Sequence, residues 1–320
     1  MTKTTRIGAV ATQNILLEEI YSTIPTNAVI DIDTVLKSDI AWLFEKLSKK
    51  FNGRSDEFHT LLIFLVSEKR KGESSEWFPY IDLLPNDYFH VPAQFSEEDL
   101  QQLQSSVVLQ SAKSEAATLK RKFDSISRIL SEVNVDEVMP EWDEYRWASG
   151  VLNSRRIWWS RRGHLVPLLD FVNCRSDGLT RVHRTVADES GAAVTRAAKA
   201  FVAGEEVVED YGQPNHIYFL HHGFLLDENP HDCVLLPRAD SERRAPCVSH
   251  SVPLATAALR RRAQQHLDSY TSSIAYDTAL LASLANNPLR RDIVRFRLSE
   301  KRLLTQLLND ADNDSAHDEL

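Results

Sequence analysis

The chain has 320 residues, of which 42% are hydrophobic and 26% are charged, and its formal net charge is −9. This composition is typical of a globular protein and excludes an intrinsically disordered chain. The negative charge argues against a dedicated nucleic-acid binder, because affinity for phosphate backbones comes from clustered Lys and Arg. The longest apolar run, LLIFLV at 61–66, is far shorter than the roughly 18 residues of a membrane helix.

The first half of the chain predicts short strands followed by helices. Strands are predicted at 7–12, 18–25 and 28–32, which are separated by polar breaks. Apolar residues then recur at steps of three and four, which predicts helices over 34–51 and 57–72.

A long helix is predicted to begin near residue 96. Ser96 suits the N-cap position, and Phe95 is expected to pack against Leu100. Apolar residues continue at helical spacing as far as Leu130, so one uninterrupted helix is expected there.

The second half predicts a further helix, two strands and a helical end. The helix opens at Pro140, where acidic residues follow, and strands are expected at 165–172 and 198–210. From about 255 the pattern is helical again. The order of elements predicts an α+β fold whose core is split by a helical insertion and is followed by a helical domain.

Metal and disulfide sites are not predicted from the cysteines and histidines. The chain has three cysteines, Cys174, Cys233 and Cys247. They are too few and too scattered for a disulfide framework or a four-thiolate zinc site. Four histidines lie in one region of the chain, His216, His221, His222 and His231. None has a thiol at ligand spacing, so these histidines are expected on the surface or on a pocket wall.

The termini predict a cytoplasmic or nuclear location. The N-terminal MTKTTRIGAV has neither the apolar core of a signal peptide nor the pattern of a transit peptide. The chain ends in HDEL, an address for retention in the endoplasmic reticulum that is read only in the lumen. We interpret this match as fortuitous, because it lies in an acidic tail.

Six segments carry a more specific signal. In chain order they are ATQNILLEEIYSTIP, SEWFPYIDLLP, EYRWASGVLNSR, LVPLLDFVNC, AGEEVVEDYGQPNHIYFLHHGFLLDENPHD and RFRLSEKRLL. Together they resemble the SET-domain methyltransferases, in particular the Rubisco large-subunit methyltransferase-like branch, which includes actin-histidine methyltransferases. The resemblance implies the following parts: SET core at 1–40 and 151–237, helical insertion at 41–150, helical substrate-binding domain at 250–310 and acidic tail at 311–320.

The resemblance implies S-adenosylmethionine as the cofactor and assigns site residues. Tyr211, in VVEDYG, matches the catalytic tyrosine whose hydroxyl lies beside the transferred methyl group. The implied cofactor-binding positions are Gly8, Ala9, Arg155, Asn173, Cys174, Tyr211 and Phe224. The implied substrate-binding positions are Ser154, Arg155, Ile157, Asp170 and His222. Asp170 matches the rim of the pocket, although a cap on a neighbouring turn is an alternative.

Four residues depart from the pattern of this branch. Arg6 and Glu18 stand where the branch has glycine, Cys174 replaces a histidine and His222 replaces a tyrosine. A catalytically degenerate SET module that only binds proteins is therefore the alternative to an enzyme.

The sequence favours lysine as the residue that accepts the methyl group. Arg156 is followed by Ile157, Trp158 and Trp159, and an apolar wall suits the stem of a lysine. The tryptophans alternatively belong to the core, and a histidine acceptor stays open. The resemblance implies a non-histone protein substrate that docks on the SET core and the helical domain. We expect a monomer without nucleic-acid or membrane partners.

Overall fold

The computed structural model describes residues 7–50, 57–176 and 178–317. Arg6 and the last three residues of HDEL lie outside these ranges. Within them, no helix combines the length and apolarity needed to cross a bilayer. The mixture of helices and short strands confirms the predicted α+β class.

The helices and strands occur in separate blocks along the chain. In order, the helices are α1 (Ile32–Val35), α2 (Ala41–Lys50), α3 (Glu57–Lys71), α4 (Phe78–Ile81), α5 (Glu97–Gln101), α6 (Val107–Glu132), α7 (Trp142–Arg155), α8 (Asn215–Ile217), α9 (Ala257–Ser269), α10 (Ile274–Ser283) and α11 (Pro288–His317). The strands are β1 (Ala9–Val10), β2 (Ile20–Ile24), β3 (Ile157–Trp159), β4 (Arg162–His164), β5 (Asn173–Cys174), β6 (Thr185–Ala187), β7 (Ala193–Arg196), β8 (Glu206–Glu209), β9 (Val234–Leu235) and β10 (Cys247–Val248).

The chain divides into two compact units. The first consists of the described residues of Met1–Tyr88 and Leu119–Gly212, and the second of those of Phe89–Thr118 and Gln213–Leu320. The first unit contains sheets of order β1–β8–β5, β2–β7–β6 and β3–β4. Its strands enclose a buried cluster that includes Val166, Phe201 and Val207.

Helix α3 confirms the prediction for 57–72 and explains its apolar run. Leu61 to Val66 are all buried, so the helix is covered on every side. It packs against α7, where His59 Nε2 lies 3.0 Å from the hydroxyl of Tyr145.

The strand predicted at 28–32 is wrong at both ends, because Ala28 ends a 3-10 turn that begins at Thr26 and a helix follows Ile30. Ile30 forms an isolated bridge to Leu165, but Asp31 is the N-cap of α1 and its Oδ1 accepts a hydrogen bond from the Thr34 amide at 2.9 Å. The cap satisfies an amide that would otherwise lack a partner, so the local hydrogen bond decides for helix. The helix predicted over 34–51 is likewise interrupted between α1 and α2.

The long helix predicted from residue 96 is two helices. Ser96 does cap α5, since its Oγ accepts a hydrogen bond from the Asp99 amide at 3.1 Å. The chain then turns at Gln104, whose φ of 54° is left-handed, and α6 begins at Val107. The apolar spacing runs across this break without marking it, because glutamine is not a typical turn residue.

The strand predicted at 165–172 is mostly a turn. Leu168 has a φ of 73°, and a single 3-10 turn covers Leu169–Phe171. Extended structure begins only at Asn173, in β5. The continuous apolar run concealed this turn because the residues bury their side chains without adopting a strand.

The second unit has two buried apolar clusters. In one, Phe219 stacks on Phe296 with ring centroids 4.7 Å apart. In the other, the antiparallel pair β9–β10 lies against α9 and α11 through residues such as Val234 and Leu304. Helix α11 therefore contributes to both clusters.

Charged residues of RFRLSEKRLL are buried within the second unit. Arg297 and Lys301 on α11 both contact the fully buried carboxylate of Asp277 on α10. Tyr270 donates a hydrogen bond to Glu300 at 2.8 Å. This segment is thus a structural element that fastens α11 to α10.

Candidate active site

One small sheet brings distant motifs of the first unit together. Strand β8 pairs antiparallel with β1, with Ala9 opposite Val207, and parallel with β5, with Asn173 opposite Val208. Gly8 directly precedes β1. Gly8, Ala9 and Asn173, which are predicted cofactor positions far apart in sequence, therefore lie on or beside the same sheet, β1–β8–β5.

Asn173 links these motifs through its side chain. Its Nδ2 donates to the carbonyl of Ile7 at 3.1 Å and to Oε1 of Glu206 at 2.6 Å. The neighbouring Cys174 is half-buried and takes part in no disulfide. Asn173 thus holds the backbone beside Gly8 in place.

Tyr211 follows β8 and reaches back towards β5. Its hydroxyl donates to the carbonyl of Val172 at 2.5 Å. Burial raises the pKa of Tyr211 well above its usual value, and the neighbouring Cys174 and Glu209 raise it further. The phenol therefore stays protonated at neutral pH and acts as a donor, not as a base.

Arg155 and Asp170 form a buried polar cluster with two tyrosines. Arg155 Nη1 donates to the Asp170 carbonyl at 3.0 Å, and its Nε lies 3.4 Å from the Tyr88 hydroxyl. Tyr80 donates to Asp170 Oδ2 at 2.7 Å. The Asp170 side chain has 0% exposure, so its carboxylate is buried within this cluster. Burial raises its pKa to about 6, although Arg155 opposes this shift.

Helix α7 positions Ser154 and Arg155 at its C-terminal end. The Ser154 hydroxyl donates to the Gly150 carbonyl at 2.7 Å. A Cβ on Gly150 would lie 2.8 Å from Cβ of Tyr88, so glycine allows this tyrosine to approach the helix. The tyrosine in turn contacts Arg155.

The apolar segment after Ser154 and Arg155 is only partly available as a channel wall. Ile157 is half-buried, and Trp158 is 58% exposed. Trp159 stacks on His164 with ring centroids 3.5 Å apart. Trp159 is thus a packing residue, which agrees with the alternative reading for one of the two tryptophans.

His222 and Phe224 belong to an aromatic group of the second unit. Tyr218 stacks on Phe224 with centroids 4.9 Å apart, and His222 meets Phe224 edge-on at 5.8 Å. Gly223 between them has a φ of 73°, and a Cβ there would lie 2.8 Å from the His90 carbonyl oxygen. Glycine is required at this turn, and it fixes the directions of its two neighbours.

The comparisons with known proteins agree with the motifs. Residues 235–304 match the family model described as Rubisco LSMT substrate-binding. Actin-histidine N-methyltransferase of Gallus gallus is 26% identical over 241 residues, which are 71% of this chain and 39% of that protein. The Danio rerio protein of the same name is 27% identical over 239 residues, again 71% and 39%. The chain thus spans about two fifths of the length of these curated relatives.

Solved structures match nearly the whole chain. The SET domain of LSMT bound to lysine and AdoHcy superposes with a TM-score of 0.74 at 19% identity, over 99% of this chain and 88% of that one. Rubisco LSMT bound to AdoMet gives a TM-score of 0.72 at 21% identity, over 98% and 88%. The chain therefore has the fold of these LSMT SET-domain structures. The resemblance predicted from the six segments is confirmed.

Glu18 is a departure from the SET pattern that carries backbone strain. Its φ is 65°, a conformation that glycine adopts freely and other residues do not. We expect Glu18→Gly to raise the melting temperature by roughly 1–3 °C. The strain energy that glycine relieves in the folded state exceeds the free-energy cost of the extra conformational entropy that it gives the unfolded chain.

Differential scanning calorimetry checks this expectation, with Glu18→Ala as the control. Both variants lose the contact of Glu18 with Arg181 Nε, which is 3.0 Å long, but only alanine keeps a Cβ at positive φ. A gain of equal size in both variants would assign the effect to removal of the glutamate side chain and not to relief of backbone strain.

Sequence reasoning missed a buried cluster near Tyr211 in the first unit. The Glu209 carboxyl group contacts both the Tyr21 hydroxyl and His183 Nδ1. Burial raises the pKa of Glu209 to about 8 and lowers that of His183 to about 4. Both groups are therefore mainly neutral at pH 7. Only the position of Glu209 two residues before Tyr211 hinted at a role.

Two further tyrosines of the site were also missed. Tyr80 lies in SEWFPYIDLLP, a segment that the resemblance had marked, so a signal for it was present. Tyr88 lies beyond this segment, and its closeness to Arg155 depends on Gly150.

The expectation for cysteines and histidines needs correction. Cys233 and Cys247 form a disulfide, and His216 Nδ1 lies 3.9 Å from Cys247 Sγ. His216 therefore does have a cysteine sulfur atom within reach, although the three residues are far apart in sequence. Sequence spacing alone cannot reveal such a cluster when separate loops and strands supply its members.

Proposed function

We propose that the chain is an S-adenosylmethionine-dependent protein N-methyltransferase. The observation that carries this proposal is the convergence of Gly8, Asn173 and Tyr211 on the sheet β1–β8–β5. Fold similarity to LSMT structures bound to AdoMet and AdoHcy supports it.

The residues on this sheet fit the cofactor chemically. The backbone at Gly8 and Ala9 is close to the Asn173 amide, and such polar groups suit the amino-acid part of the cofactor. The backbone of Cys174 is suited to meet the adenine. When bound, S-adenosylmethionine supplies a methyl group on a sulfonium, which a neutral nitrogen accepts while the C–S bond breaks and a proton leaves to solvent.

The protein's own part is to orient the acceptor and keep the site dry. Tyr211 holds its hydroxyl at the carbonyl of Val172, just before β5 begins. A protonated phenol at this position orients an incoming nitrogen. A nearby positive sulfonium and burial both lower the pKa of a lysine ammonium, so a strong base is not needed. Asp170 acts as a positioning residue, because it holds Arg155 and Tyr80.

Lysine is the proposed acceptor, on a non-histone protein. The half-buried Ile157 and the exposed Trp158 present apolar surface just after Arg155, which suits a four-carbon stem. Among the matched structures, one is bound to lysine. Histidine is the second candidate, favoured by the names of the curated relatives.

Binding of the cofactor gives the first test. S-adenosylmethionine at 100 times its dissociation constant is expected to raise the unfolding free energy by about 2.7 kcal/mol. A thermal-shift titration measures this, with Asn173→Ala as the variant that loses the shift. No shift in the wild type at any concentration would contradict the proposal.

The acceptor is identified by mass spectrometry of cell extract treated with the protein and isotope-labelled cofactor. Methyl-lysine supports the first candidate and methyl-histidine the second. A thermal shift without any methylation would favour the degenerate, protein-binding SET module. Docking of the substrate on the SET core and helical domain, a monomeric state and a cytoplasmic or nuclear location stay predictions.

A further inference from the structure

Three residues of the second unit converge far from one another in sequence. His216 lies in α8, Cys233 directly precedes β9, and Cys247 opens β10. The potential ligand atoms of these residues all lie within 4.8 Å of one another. The Cα atoms of the two cysteines, which the antiparallel pair β9–β10 brings together, are 5.4 Å apart.

A half-buried carboxylate, that of Asp232, supports this cluster. Asp232 Oδ1 accepts hydrogen bonds from the Asn215 amide at 3.0 Å and from the Cys233 amide at 3.0 Å. Asp232 Oδ2 accepts from Asn215 Nδ2 at 2.8 Å. The Asp232 side chain thus fixes Asn215, which directly precedes His216, and it also fixes Cys233. Such surrounding hydrogen bonds are what keep metal ligands in place.

We propose that the reduced form of Cys233, Cys247 and His216 is a zinc site. Two thiolates and an imidazole are ligands that Zn²⁺ prefers, and a water completes the tetrahedron when a protein supplies three ligands. Zinc–ligand bonds of about 2.0–2.3 Å place neighbouring ligand atoms roughly 3.5–3.8 Å apart. The separation of His216 Nδ1 and Cys247 Sγ is already 3.9 Å.

The disulfide and the zinc site exclude each other, because they use the same sulfur atoms. A phosphine reductant and one water convert the disulfide into two thiols and a phosphine oxide. Binding of Zn²⁺ then replaces the two thiol protons. Return to the disulfide requires a two-electron oxidant such as hydrogen peroxide, which takes up two protons and becomes two waters while Zn²⁺ is released. The residues therefore form a site with a zinc-bound and an oxidised state.

Zinc titration of the full chain tests the proposal. The protein is reduced with a phosphine, freed of reductant, and titrated with Zn²⁺ against a chromophoric chelator. We expect one equivalent of Zn²⁺ per reduced chain and none at this site in the oxidised chain. His216→Gln should weaken binding at least about tenfold. His250→Gln, a change of an exposed histidine in the same unit, should bind as the wild type does.

Two results would overturn the zinc site. One is a reduced wild-type chain that takes up no Zn²⁺, which would leave only a disulfide. The other is unchanged affinity in His216→Gln. This variant keeps both cysteines, so its circular dichroism in the oxidised form establishes that it is folded before it is reduced.

An alkylation experiment tests the same site without any variant. Zn²⁺ is expected to slow the alkylation of Cys233 and Cys247 in the reduced wild type, measured peptide by peptide with mass spectrometry. Cys174 is the internal control, because it lies in the first unit and should react at the same rate with and without Zn²⁺. Alkylation rates of Cys233 and Cys247 that Zn²⁺ leaves unchanged would also contradict the proposal.

Discussion

Tyr211→Phe is expected to lower the turnover of methyl transfer by about 10²-fold and to change affinity for S-adenosylmethionine only a few-fold. The substitution removes a single hydroxyl, which donates to the carbonyl of Val172, the residue directly before β5. The ring still fills its half-buried place, so the sheet that carries Asn173 should be unaffected. What is lost is the group that orients the nitrogen.

The measurement compares turnover by mass spectrometry with cofactor affinity by calorimetry. Tyr276→Phe is a matched control, since Tyr276 is 60% exposed on α10 and should keep wild-type values. Equal losses of turnover and cofactor affinity in Tyr211→Phe would show that Tyr211 binds the cofactor and has no separate role in the transfer.

Asp277→Ala is expected to lower the free energy of unfolding by about 3–5 kcal/mol. Arg297 donates to both carboxylate oxygens of Asp277, at 2.6 and 3.0 Å, and Lys301 contacts the same carboxylate. All three side chains are at most 2% exposed. Alanine would leave two cations buried without their shared anion, and this unpaired charge causes most of the loss.

Chemical denaturation measures the change. Asp268→Ala on α9 is the control, because this exposed aspartate should shift stability by less than about 0.5 kcal/mol. The triple change Asp277→Leu, Arg297→Met and Lys301→Met removes the anion and both of the cations that contact it. It should be less destabilising than Asp277→Ala. The reverse order would mean that packing of the aspartate, and not charge, holds α10 to α11.

The sequence predicted the features of this fold that depend on local chemistry or on motif. The cap at Ser96 and the apolar helix α3 are local. The motifs marked Asn173 and Tyr211, which the structure places in β5 and just after β8. The turns at Leu168 and Gln104 escaped prediction, because neither residue favours a left-handed φ and tertiary contacts impose it.

The parts of the candidate site that could not be predicted are those that depend on long-range contacts. Tyr88 reaches Arg155 across a gap of 67 residues, and His216 meets Cys247 across 31. Nothing in the spacing of these residues marks them as neighbours. The burial of Asp170 was missed for the same reason, because its partner Tyr80 lies 90 residues away.

The pairing of β1 with β8 has a consequence for synthesis in the cell. Ala9 leaves the ribosome roughly 200 residues before its partner Val207. At about 5–20 residues per second, the first strand waits on the order of 10–40 s for the rest of its sheet. A nascent chain therefore carries β1 without its partner strand until Val207 has been synthesised.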